Sequence, residues 1–99
     1  MGIIDQNIED LKRLCAKYNV DKIYLFGSAL NANFHQNSDL DFLVKFKSIE
    51  LSKYFDNYMD FKENLEILFG REIDLVEEQT LRNPILIKSI NESKELIYG

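Results

Sequence analysis

The chain has one cysteine, one histidine, one proline and four glycines among 99 residues. A single cysteine, Cys15, excludes an internal disulfide and agrees with a reducing compartment. No apolar run approaches the length needed to cross a bilayer. Gln6 stands where a myristoylation signal needs Ser or Thr, and the start MGIIDQ has no secretory pattern, so a cytoplasmic protein is expected. Clustered basic residues are also lacking. Twelve Lys and Arg are scattered against seventeen Asp and Glu, for a net charge of −5. Direct binding to a nucleic-acid backbone is therefore not expected, because it needs concentrated positive charge. There is no internal repeat, no low-complexity tract and no linker. At this length the whole of 1–99 is expected to form one domain.

What the chain does have is alternating helical and strand patterns. Ile4, Ile8, Leu11, Cys15 and Tyr18 fall on one helical stripe, which predicts a helix from Ile3 to Tyr18 with Asn19 as its stop. Lys22 to Phe26 (KIYLF) reads as a buried strand closed by Gly27. Ser28 to Phe34 has the length of a brief helix, and HQNS is a polar turn. Asp39 to Phe46 reads as a second strand. Ser48 is a plausible N-cap for a long helix from Ile49 to Phe69, stopped by Gly70. Its apolar face would hold Leu51, Tyr54, Phe55, Tyr58, Phe61, Leu65 and Leu68, read mainly as core. Glu72 to Glu77 predicts a third strand. Asn83-Pro84 then places a cap and a first-turn proline at the head of a last helix to about Glu92. The tail ELIY reads as a short strand or an extended segment. The order α-β-α-β-α-β-α predicts an α/β (α+β) domain, a small sheet with helices packed on it.

The chemistry concentrates between Tyr24 and Val44. Strand alternation points Asp39, Asp41 and Leu43 one way and Leu40, Phe42 and Val44 the other. The two acids then stand with Cα atoms roughly 6.5–7 Å apart. Like charges so close repel, and a shared cation relieves the repulsion. Hard oxygen donors suit Mg²⁺, which completes its shell with water and substrate phosphates. Two such ions roughly 3.5–4 Å apart can bridge an attacking and a leaving oxygen. A D-x-D pair also occurs by chance as solvated surface.

Gly27 and Ser28 add to the pattern. Gly27 lets backbone approach a ligand, and a helix starting at Ser28 would offer free N–H groups and a dipole end to a phosphate. Asp74, between Ile73 and Leu75, turns to the polar side of its strand. It would be a third acid, able to accept the proton of an attacking hydroxyl, if its strand neighbours that of Asp41. Periodicity alone equally allows an exposed polar residue, and Glu72 shares its facing. His35 in the polar turn reads as exposed.

Gly27-Ser28, ten residues, then Asp39-Leu40-Asp41, and later the isolated acid of Ile73-Asp74-Leu75-Val76, resemble the polymerase-beta-type nucleotidyltransferase superfamily. The nearest branch in length is the minimal nucleotidyltransferases. The resemblance implies that Gly27 and Ser28 hold a nucleoside triphosphate, ATP or another. It implies that Asp39, Asp41 and Asp74 bind Mg²⁺, with Asp74 also assisting the acceptor hydroxyl. The reaction would move a nucleoside monophosphate to a hydroxyl and release pyrophosphate. The branch further implies an antitoxin whose partner is a separately encoded, helical HEPN-type toxin. Such an antitoxin neutralises its partner by adenylylating a tyrosine, by binding alone as a weakly catalytic or non-catalytic protein, or by both. The chain departs from the branch at Leu30-Asn31-Ala32. Many relatives carry Ala-Arg-Gly there, so Asn31 removes a cation that could pair with phosphate.

Overall fold

The computed structural model of the chain describes residues 2–27 and 39–99. The expected brief helix at 28–34, and with it Ser28, Asn31 and His35, lies outside them.

The first helical stripe folds as two helices, α1 (Gly2–Gln6) and α2 (Ile8–Lys17), and not as one. Asn7 makes the break: its side-chain amide donates to the Ile3 carbonyl at 2.8 Å. This side chain competes with regular helical hydrogen bonding. The apolar stripe survives because Ile4, Leu11 and Cys15 are still buried on one side. Asn19 ends the segment with φ of 62°, a left-handed conformation that Asn tolerates better than most residues.

Three strands follow the predicted pattern: β1 (Val20–Phe26), β2 (Leu40–Phe46) and β3 (Ile73–Glu77). The tail forms a fourth strand, β4 (Glu95–Tyr98). The sheet order is β3-β2-β1-β4, with β1 antiparallel to β2 and β4, and β2 parallel to β3. A parallel neighbour needs a crossover. Here the crossover is α3 (Leu51–Phe69), stopped by Gly70 with φ of 64°. The helix starts later than Ser48, because Glu50 sits at its head with extended ψ of 135° and makes no side-chain cap. At α4 (Pro84–Ser93) the cap is as expected: the Asn83 side-chain oxygen accepts from the amides of Ile85 and Leu86.

The main core lies between one sheet face and the helices α2 and α3. Ile23, Leu25, Leu40, Phe42, Val44 and Leu75 meet Leu11, Cys15, Phe61 and Leu65 there. Asn57 and Asn64 of α3 donate to the Tyr18 carbonyl and hydroxyl at 2.8 and 3.0 Å, locking the two helices together. Cys15 is buried, as expected of a small apolar residue, and burial pushes its thiol up to about 12. The long α3 face is only partly core. Phe61 and Leu65 are buried, whereas Leu51 and Phe55 are 90% and 68% exposed.

A candidate acidic active site on the second sheet face

Strand alternation leaves Tyr24, Phe26, Asp41, Leu43, Asp74 and Val76 on the sheet face opposite the main core. The register then sets them in rows. Phe26 pairs with Asp41 and Asp41 with Asp74; next to them, Tyr24 pairs with Leu43 and Leu43 with Val76. Asp41 and Asp74, 33 positions apart in sequence, are therefore direct cross-strand neighbours about 4.8 Å apart at Cα. Asp39 is exposed just before β2, on the same side by alternation. The backbone bond from Leu40 N–H to the Glu72 carbonyl, 3.1 Å, fixes this end of the pair.

Asp41 is half-buried, while Asp74 is exposed. Beside Asp41 stands Gly27, with φ of +77°, in the left-handed region that favours glycine. The space a Cβ would take at Gly27 is filled by the Asp41 carboxylate. Gly27 is thus the residue that lets the end of β1 fold against the acid.

These positions agree with the expectation that Asp74 turns away from Ile73 and Leu75, which are both buried. Asp41 and Asp74 come together; Asp39 stands at the strand entrance; Ser28 lies outside the described residues. Among the described residues no three His, Cys, Asp or Glu side chains already converge as an ion-holding group. The donor chemistry of the row, oxygen only and negative, fits a hard divalent cation.

One further charged residue belongs to this face. The Lys94 ammonium sits 4.3 Å from the centroid of the Tyr24 ring, a cation held over an aromatic on the acidic face. Sequence reasoning missed it. Lys94 follows α4 directly, and only the pairing of β4 with β1 brings it to Tyr24. No signal within the sequence would have found it.

Comparison with known proteins fits this geometry. Residues 9–99 match the family model described as polymerase beta nucleotidyltransferase. A Methanocaldococcus jannaschii protein named "Putative protein adenylyltransferase" is 37% identical over 87 residues, covering 88% of this chain and 84% of that one. A solved structure described as a "putative minimal nucleotidyltransferase" superposes with a TM-score of 0.75 at 27% identity, over 93% of this chain and 90% of the other. The fold is shared too with a chain from the complex of a tri-AMPylated Shewanella oneidensis HEPN toxin with its MNT antitoxin. The TM-score there is 0.66 at 16% identity, over 96% of this chain and 71% of that chain. An acidic row across β2 and β3, a glycine fitted to one of its carboxylates, and a family match over nearly the full length lead to one conclusion: the chain belongs to the polymerase-beta nucleotidyltransferase family and is a nucleotidyltransferase of the minimal type.

Proposed function

We propose that this chain transfers AMP from ATP to a tyrosine hydroxyl of a HEPN-type toxin partner, and so acts as its antitoxin. The observation that carries the reading is the register of Asp41 against Asp74, with Gly27 fitted to Asp41. The named relative, and the AMPylated toxin found with a protein of the same fold, support the choice of AMP and of a protein acceptor.

In this reading Asp39, Asp41 and Asp74 would hold Mg²⁺, two ions, through their carboxylate oxygens. The bound cation supplies positive charge to phosphoryl oxygens as charge develops on them. Gly27 and Ser28 hold the triphosphate, Gly27 by letting backbone come close. The tyrosine oxygen attacks the α-phosphorus. The bond from that phosphorus to the bridging oxygen breaks, and pyrophosphate leaves. Asp74 takes the proton of the attacking hydroxyl, a role its exposure permits. The net negative charge of the domain suits a cation-loaded site and a protein acceptor better than a nucleic acid.

The test is incubation of the chain with α-labelled ATP, Mg²⁺ and the protein encoded beside it. Label is expected on a partner tyrosine, and Asp41→Asn should abolish it. No transfer, or transfer unchanged by Asp41→Asn, would sink the enzymatic reading. If that variant still neutralised the partner without transfer, neutralisation would rest on binding alone.

A further inference from the structure

A second chemically unusual place lies on the opposite face of the sheet. Glu77 ends β3 in register with Val44, on the core side, beneath α3. It is the one buried charged side chain among the described residues, 6% exposed. Among the described residues its Oε1 and the neighbouring Tyr54 hydroxyl find no other hydrogen-bond partner, and the two groups lie close enough to interact with each other. The other hydroxyls close by are committed to backbone. Thr80 donates to the Glu77 carbonyl at 2.8 Å, and Tyr58 donates to the Leu75 carbonyl.

Burying a carboxylate without a counter-charge is unfavourable, and an apolar side chain would serve the fold better. Its influence reaches the rings beside it. The Tyr54 phenol is pushed up to about 12, by burial first and by the Glu77 charge second. Burial raises the Tyr58 phenol as well, followed by the charges of Asp74 and Glu77.

Glu77 lines a cleft of about 300 Å³ between α3 and β3, together with Tyr54, Phe55, Tyr58, Leu75 and Thr80. The Tyr54 and Tyr58 rings stack there, with centroids 6.5 Å apart and planes 20° apart. A negative group and two aromatic rings in the lining of one cleft make a site for a cation. A planar guanidinium suits it better than an ammonium, because it both stacks on rings and pairs with a carboxylate. On α3, Leu51, Phe55 and Met59 follow one another at successive turns, 90%, 68% and 41% exposed, and Phe55 lines the cleft.

We propose that this cleft binds an arginine side chain of a protein partner, its guanidinium against Glu77 and the Tyr54 and Tyr58 rings, its apolar neighbours on Leu51, Phe55 and Met59. The charge of −5 favours a basic partner surface. Because Glu77 and Asp41 occupy opposite sheet faces, docking here needs no nucleotidyl transfer.

The test uses the full ¹⁵N-labelled chain and the peptide acetyl-Leu-Arg-Leu-amide. Saturable amide shifts are expected at Tyr54, Tyr58 and Thr80. The neutral citrulline peptide should bind at least tenfold more weakly, and Glu77→Gln should weaken the arginine peptide as much. If Glu77→Gln loses the native amide spectrum, the citrulline comparison on the natural chain decides alone. Absence of shifts in the cleft, or equal binding of the citrulline or lysine peptide, would overturn the proposal. Free arginine binding as tightly as the peptide would overturn it too, since the site would then take a small molecule.

Discussion

A Cβ placed on Gly27 would stand 2.3 Å from Oδ2 of Asp41, closer than any real contact. The end of one strand and an acid of the next share one small space. The fit explains why a glycine is needed here: the backbone is left-handed and the side-chain position is already taken.

Gly27→Ala is therefore expected to displace the Asp41 carboxylate and strain the backbone together. A stability loss of about 1–2 kcal/mol should show in urea melts. Nucleotidyl transfer should fall by at least tenfold in a variant that is still folded. Unchanged kcat/KM would mean that the placement of Asp41 does not matter to the reaction.

Asp74→Asn should separate charge from fold. Like charges directly opposed across strands are unfavourable, so without divalent ion the variant should be about 0.5 kcal/mol more stable than the natural chain. Mg²⁺ should raise the melting temperature of the natural chain more than that of the variant, and transfer should drop at least a hundredfold. Equal Mg²⁺ responses would remove Asp74 from the proposed ion site.

Glu77→Leu removes the one buried charged side chain among the described residues. A gain of about 1 kcal/mol or more is expected in chemical denaturation of the isolated chain. A loss of stability would show that the fold itself depends on the charge.

Alkaline stability should carry the signature of Tyr54. Its phenol lies at about 12 against an ordinary 10.0, so the native state keeps this proton longer than the unfolded chain does. The unfolded state binds fewer protons between those values, and stability must fall as pH rises through that window. Below about pH 10 the contribution is fully present. Tyr54→Phe should flatten the fall in urea melts taken at successive pH values, and an unaltered slope would assign it elsewhere.

Cys15, fully buried and with its thiol raised to about 12, should resist a chromogenic disulfide reagent at pH 8 and react at once in urea. Fast labelling of the native chain would contradict the packing around α2.

Much of the fold can be read from the sequence because local rules operate undisturbed. Alternation marks β1, β2 and β3, and Asn83-Pro84 and Gly70 punctuate helices as their backbone needs require. The break at Asn7 is hidden because Ile4 and Ile8 continue the stripe across it; the backbone of Asn7 and its side-chain hydrogen bond to Ile3 show the interruption. In α3 the same period runs through buried Phe61 and exposed Phe55. Periodicity measures a face, and what covers that face is decided elsewhere. The carboxylates of the site are visible as residue types, but pairing Asp41 with Asp74 depends on which strands neighbour each other. Glu77 and Lys94 gain their meaning only from what the fold places beside them.

The parallel join of β2 to β3 has a mechanical consequence. The two acids ride on one hydrogen-bonded ladder, from Leu40 beside Ile73 to Val44 beside Glu77. Their separation cannot widen or close without unzipping a buried part of the sheet. The pair behaves as a ruler of fixed length. Any change in the distance between the two carboxylates must come from their own rotation, and the spacing of the pair is set when the chain folds.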